Sequence, residues 1–316
     1  SRGLGDVYKR QGYGVVGKGI EILTNSLDDI NIKYVYVRKE KENLPYFSNN
    51  EDMVVQDDID IVFECLNGLE PANTLIQKAL KKGKHVISSN KAVVATYLDT
   101  YLELEEEYGG SIQVEACVAG GIPFIDALLK LKRLEPLQGY EGIFNGTSNY
   151  ILDSMQKNNL DFEDVLKEAQ DKGYAEKDPS NDIDGVDVYY KTKISNSLAF
   201  NTPIIDIPYY AGIRTIKMLD IKFIKMNNKV IRHLSISRQI DDKIISIIAP
   251  CCMDENDFLA NVPSNYNAQK ILSHSFDTLG YYGQGAGQLP TAQAMVQNAL
   301  DLSLIHISEP TRHAQI

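Results

Sequence analysis

Cysteine is scarce. Cys65, Cys117, Cys251 and Cys252 are the only four in 316 residues. No pair has C-x-x-C spacing, which excludes a zinc ribbon or a disulfide framework and leaves reduced thiols in the cytoplasm as the plain reading. The five histidines, His85, His233, His274, His306 and His313, show no metal-ligand spacing, so no His/Cys metal centre is expected. No apolar run approaches the roughly 18 residues of a membrane span. Residues 1–11 lack the apolar segment of a signal peptide. Positive charge is in deficit: 32 Lys and Arg stand against 43 Asp and Glu, a net charge of −11. That balance argues against non-specific binding to nucleic acid or an anionic membrane, and an anionic cofactor would need a local exception to it. Internal repeats and low-complexity linkers are also missing.

What is present is the composition of a soluble globular protein, 43% apolar and 24% charged, long enough for one large or two ordinary domains. Strand-like runs at IKYVYV (32–37), DIDIVFECL (58–66), HVISS (85–89) and SIQVEACVA (111–119) alternate with helical segments. One helix is PANTLIQKALKKGK, opened by Pro71 and followed by Gly83; another is the acidic stretch 97–108, stopped by Gly109 and Gly110. The alternation predicts an α/β domain: a Rossmann-like parallel sheet with helices on its faces.

The second half reads differently. LDFEDVLKEAQDKG is a helix with Asp161 as its cap and Gly173 past its end, and residues 186–200 form another. Residues 204–275, with runs such as IKFI, HLSIS and KIISII, read as antiparallel strands, and 292–302 as a final helix. NGTSNY (145–150) reads as a polar turn. An α+β second domain follows.

GYGVVGKG (12–19) places Gly12, Gly14 and Gly17 at G-x-G-x-x-G spacing, with Val15 and Val16 inside the turn. Gly12 would make the tight turn, Gly14 would let backbone N–H groups approach a pyrophosphate, and Gly17 would let the helix pack closely. The second strand ends in Arg38 and Lys39 rather than an acid. A guanidinium there can hold a 2′-phosphate, which favours NADP over NAD; the alternative is a solvated strand end beside Glu40. Residues 173–191 carry Glu176, Asp178, Asp182, Asp184 and Asp187 ahead of Lys191. Asp187 and Lys191 are four apart, so a helix puts them on one face. Spacing alone allows a surface ion pair, or a pocket in which carboxylates hold a substrate ammonium and a lysine moves a proton.

These motifs together resemble homoserine dehydrogenases. The matching segments are GYGVVGKG (12–19), ECLNGLEPA (64–72), SSNKA (88–92), EACVAGGIP (115–123), GIFNGTSNYIL (142–152), GYAEKDPSNDIDGVDVYYK (173–191) and GQGAGQLPTA (283–292), covering about residues 12–302. The resemblance implies NAD(P)-dependent interconversion of L-homoserine and L-aspartate 4-semialdehyde, on the route to threonine, methionine and isoleucine. It implies Lys191 as the proton-transfer lysine and Lys91 as a second lysine near both nicotinamide and substrate. Glu176 and Asp187 match the homoserine ligands, with Asp182 a neighbouring acid. Asn67, Ser89, Gly173 and Gly285 match cofactor contacts. Glu115 with the carbonyls of Val118, Gly120 and Ile122 matches a structural Na+ or K+ site, whose oxygen donors suit a hard cation. A cytoplasmic homodimer paired through the second domain is also implied. Two rivals stay open: a related semialdehyde oxidoreductase using Cys117 as nucleophile, and an NADP-binding homologue impaired in catalysis.

The expected division is an NAD(P)-binding domain of residues 1–123 to which 283–302 return, and a substrate and dimerisation domain of residues 124–282. Two segments depart from the resemblance. SRGLGDVYKRQ (1–11) stands where an apolar first strand is expected, and both it and SLIHISEPTRHAQI (303–316) read like non-native, adapter-derived tails.

Overall fold

The computed structural model describes residues 8–11, 14–27, 30–37, 47–48, 50–241 and 243–312. Gly12, Arg38 and Lys39 lie outside the described residues. The chain divides into two compact units, residues 1–121 with 287–316, and residues 122–286.

Among the described residues, the first unit holds six parallel strands: β1 (Tyr8–Gln11), β2 (Ile32–Tyr36), β3 (Phe47–Ser48), β4 (Ile61–Glu64), β5 (His85–Ser88) and β6 (Ser111–Gln113). Their order is β3-β2-β1-β4-β5-β6, with the chain turning outward in both directions from β1, the order of a dinucleotide-binding sheet. Tyr8–Gln11 therefore occupies the central slot, in register with Ile32–Tyr36 on one side and Ile61–Glu64 on the other. Every residue of β4 is buried, as in a strand covered on both faces.

Helices α1 (Val15–Thr24), α2 (Ala72–Leu80), α3 (Lys91–Tyr108) and, from the far end of the chain, α10 (Gln288–Arg312) complete this unit. In α2, Ala72, Leu75, Ile76, Ala79 and Leu80 recur at helical spacing and all are buried. α3 begins six residues before the expected 97, because Asn90 caps it by accepting the Val93 N–H, and Gly109 closes it in the left-handed region (φ 76°). α10 runs through residues 303–312, well beyond the 302 expected. Its Met295, Val296, Ala299 and Leu302 join Ile20, Ile61, Phe63 and Ile87 in one core. β6 ends at Gln113 rather than Ala119. Its last paired partner is Ile87, so the ladder ends, and Glu115–Cys117 turn into a short 3-10 segment instead.

The second unit is a five-stranded antiparallel sheet of β7 (Gly139–Ile143), β8 (Lys229–Ile240), β9 (Lys243–Asp254), β10 (Asn267–Ser273) and β11 (Asp277–Gly283), ordered β11-β10-β7-β8-β9. Its helices are α4 (Phe124–Leu131), α5 (Gly146–Asn158), α6 (Phe162–Asp171), α7 (Ser180–Ile183), α8 (Val186–Phe200) and α9 (Met218–Met226). Phe124, Tyr140 and Phe144 pack edge-to-face with centroids 5.3–6.1 Å apart, and the Tyr140 hydroxyl donates to Asn196 Oδ1 at 2.8 Å.

Three expectations change here. NGTSNY is not a free-standing turn but the start of α5, since Asn145 accepts the Ser148 N–H at 2.8 Å and caps the helix. IKFI belongs to α9 rather than a strand: Asp220 accepts the Lys217 N–H at 2.9 Å, and Ile221 and Ile224 pack into the core beneath. Asp161 stands at the N-cap of α6 but makes no side-chain cap bond. Among the described residues, no helix is long and apolar enough to cross a membrane.

Candidate active site

In the first unit the strand ends carry the candidate residues. Gly14 precedes α1 and accepts the Lys18 N–H at 3.0 Å, so the N–H groups of Val15, Val16 and Gly17 come before the first intrahelical bond and face out of the helix end. Among the described residues, a Cβ at Gly14 would meet nothing within 4 Å, and the first turn carries no acid, which suits an anion at that helix end. Close packing beneath it comes from Gly19, which the spacing argument passed over: a Cβ there would lie 2.7 Å from Gln288 O and 2.8 Å from Ala292 Cβ.

Beyond β4 and β5, one buried network ties two loops together. Glu64, fully buried, accepts the Leu66 N–H at 2.7 Å and the Ser88 hydroxyl at 2.6 Å. Ser88 Oγ in turn accepts the Asn90 N–H at 3.0 Å, and Asn90 Nδ2 donates to Gly68 O at 2.8 Å. The loops so joined display Asn67, exposed, and Ser89 and Lys91, half-buried. Glu64 and Asn90 were missed as supports, although an acid closing an all-apolar strand was a readable signal. Cys117 is buried and donates to Ser88 O at 3.0 Å; burial, with the Glu64 charge, pushes its thiol well above the usual range. A protonated, enclosed thiol is the wrong setting for a nucleophile. Glu115 is buried, and Gly120 sits in the left-handed region (φ 59°). Val118 lies with them in this unit, while Ile122 begins the second and its carbonyl accepts the Phe124 N–H at 2.7 Å.

In the second unit, Asp187 and Lys191 are one turn apart on α8. They form an ion pair of 2.8 Å with side chains only 4% and 8% exposed, so the surface-pair reading does not hold. Lys191 Nζ also donates to Phe144 O at 2.6 Å. Asp182, half-buried on α7, joins them through Asn145, whose Nδ2 donates to Asp182 Oδ1 at 2.7 Å and to Asp187 Oδ2 at 2.9 Å. Asp184 instead turns to Arg214, at 2.7 and 2.8 Å, and the guanidinium holds its carboxyl below the usual range. Glu176 is exposed; its backbone carbonyl accepts from Gln170. Gly173 is exposed in the left-handed region (φ 74°). Gly285 is buried, and a Cβ there would fall 1.8 Å from Asn267 Nδ2, so a side chain has no room.

Behind the cluster lies His233 of β8, fully buried. Its Nε2 donates to Ala211 O at 2.9 Å, and its Nδ1 lies 3.3 Å from Ser148 Oγ. Burial pulls its pKa down to about 4 against the opposing effects of the Ala211 carbonyl and the Asp187 charge, so the ring is neutral near pH 7. No motif or spacing in the chain marks it.

Carboxylates grouped beside a buried lysine can take a cationic amine as ligand. The lysine, pinned by two acceptors, can exchange a proton with a bound oxygen.

A family model described as "Homoserine dehydrogenase, NAD binding domain" matches residues 12–115, and one described as "Homoserine dehydrogenase" matches residues 123–300. The homoserine dehydrogenase of Neisseria gonorrhoeae is 37% identical over 263 residues, covering 83% of this chain, and the chain spans only 60% of that relative's length. The crystal structure of a homoserine dehydrogenase from Thiobacillus denitrificans superposes with a TM-score of 0.90 at 34% identity, covering 98% of this chain and 75% of that one. A hyperthermophilic archaeal homoserine dehydrogenase in complex with NADPH gives 0.82 at 22% identity, covering 94% and 97%, a likeness of fold.

Proposed function

Since the chain belongs to the homoserine dehydrogenase family, we propose that it interconverts L-homoserine and L-aspartate 4-semialdehyde with a nicotinamide dinucleotide. The observation that carries this reading is the buried Asp187–Lys191 pair, joined to Asp182 by one carboxamide.

In this reading the glycine turn, Gly12, Gly14 and Gly17 with Val15 and Val16, receives the pyrophosphate, and the acid-free first turn of α1 supports that role. Arg38 and Lys39 select NADP through the 2′-phosphate. Asn67, Ser89, Gly173 and Gly285 border the cofactor. The bound nicotinamide supplies or accepts the hydride. Asp187 and Asp182, with Glu176, hold the substrate ammonium. During aldehyde reduction, the carbonyl oxygen gains negative charge; Lys191 Nζ stabilises it and delivers the proton, with Lys91 as the second lysine. In oxidation the same group takes the hydroxyl proton. Reaction requires the two C4 atoms to approach to roughly 3–3.5 Å. A structural Na+ or K+ would take oxygen donors from the Glu115 carboxylate, which is buried, and from the carbonyls of Val118, Gly120 and Ile122, a donor chemistry that suits a hard cation.

The enzyme works as a homodimer in this proposal, an idea supported by Ile240, Ile245 and Ile247, large apolar side chains exposed on β8 and β9. The free state of all four cysteines supports a cytoplasmic setting. The test is L-homoserine oxidation with NADP and with NAD side by side. Homoserine-dependent appearance of reduced cofactor supports the reading; cofactor binding without turnover supports the impaired homologue.

A further inference from the structure

We propose that Asn145 is a positioning residue: its side-chain amide sets the spacing of the Asp182 and Asp187 carboxylates and, through Asp187, the placement of Lys191. The inference rests on reading those carboxylates as the ammonium site.

Asn145 follows β7 and is 4% exposed. Its side chain is fully engaged. Nδ2 donates at 2.7 Å to Asp182 and at 2.9 Å to Asp187, while Oδ1 accepts the Ser148 N–H at 2.8 Å. The amide orientation is unambiguous. Turned over, it would set its oxygen against two carboxylates and its NH2 against an N–H. Two carboxylates drawn to one point repel each other, and a carboxamide can bridge them without adding charge. An aspartate would bring a third negative charge, and a lysine would compete with the ammonium for the acids.

The neighbouring backbone extends the same device. Phe144 O receives Lys191 Nζ, so consecutive residues hold the cation and both anions. The segment is itself anchored: the Ser148 hydroxyl donates to Asn145 O at 3.1 Å, and His233 backs that hydroxyl. A residue that aligns both acids while capping α5 governs substrate geometry without touching the reacting atoms.

Asn145→Ser separates the two roles, because serine caps a helix about as well as asparagine but cannot bridge two carboxylates. The variant is expected to melt with the wild type and bind NADPH equally well, while its KM for L-homoserine rises at least about tenfold and kcat falls less. Asn145→Asp, which also caps, is expected to lose more activity than Asn145→Ser. An unchanged KM in Asn145→Ser overturns the proposal, as does a loss of NADPH affinity and melting temperature in step with activity. A crystal structure of Asn145→Ser decides the matter without turnover: displacement of the Asp182 carboxylate supports the proposal, and unmoved acids refute it. A wild-type chain that never oxidises L-homoserine would instead count against the functional reading, with those carboxylate positions still deciding this inference.

Discussion

The two units organise polar groups in different ways. At the strand ends of the first, a buried acid, Glu64, is spent on the Leu66 N–H and the Ser88 hydroxyl, and Asn90 joins the next loop through its amide. In the second, Asp187 and Lys191 are buried as charges against each other, and a neutral amide adjusts their surroundings. The contrast teaches a division of labour. A cofactor held largely by backbone needs loops of fixed shape, whereas a substrate bound through its charges needs charged groups held in a fixed electrostatic arrangement. Changes in the first unit should therefore act on cofactor affinity and stability, and changes in the second on turnover and pH response.

The largest expected effect is in the second unit. Lys191→Ala should lower turnover by about a thousandfold while leaving NADPH affinity near normal, measured by steady-state kinetics and fluorescence titration. Parallel loss of both would erase the contrast and make the lysine structural. Next comes acid sensitivity. The folded-state pKa of His233 is about 4 against an ordinary value of 6.5. Between those values the unfolded chain binds a proton that the folded chain refuses, so stability is full above about pH 6.5 and falls as pH drops toward 4, by roughly 3 kcal/mol from this group. Denaturant unfolding at pH 7 and pH 4 should show a smaller acid loss in His233→Gln than in the wild type; equal losses would remove His233 from the account.

A smaller effect is expected in the first unit. Glu64→Ala takes an acceptor from Leu66 N–H and Ser88 Oγ and should cost about 1–3 kcal/mol of stability, with weaker NADPH binding. KM for homoserine at saturating NADP should stay unchanged; a shift there instead would reverse the assignment of this network. The smallest effect is a difference in thiol labelling. Cys252 is exposed and Cys117 buried, so a thiol reagent should modify Cys252 in the native protein and reach Cys117 only on unfolding. Native labelling of Cys117 that abolishes activity would revive the cysteine-nucleophile reading.

Much of this was legible in residue order, and the gaps have physical causes. Alternating strands and helices over residues 12–119 implied the parallel sheet, and α8 spans the 186–200 read from its pattern. The spacing of Asp187 and Lys191 put both on one helix face, but spacing says nothing about depth, and burial turned a generic pair into a candidate site. Asn145 was read as part of a turn because the residues that favour turns are also those that cap helices. Asp220 and the i, i+3 spacing of Ile221 and Ile224 mark α9, but a four-residue apolar window cannot distinguish helix from strand. His233 and Glu64 escaped notice because their importance comes from partners distant in sequence, Ser148 and Ser88.

The most direct test of the central claim, that the buried lysine and its acids act on an amino alcohol bound through its ammonium, is a steady-state assay of L-homoserine oxidation with NADP. The account predicts homoserine-dependent NADPH formation by the wild type that is lost in Lys191→Ala. NADPH binding by the wild type with no homoserine-dependent turnover would contradict it.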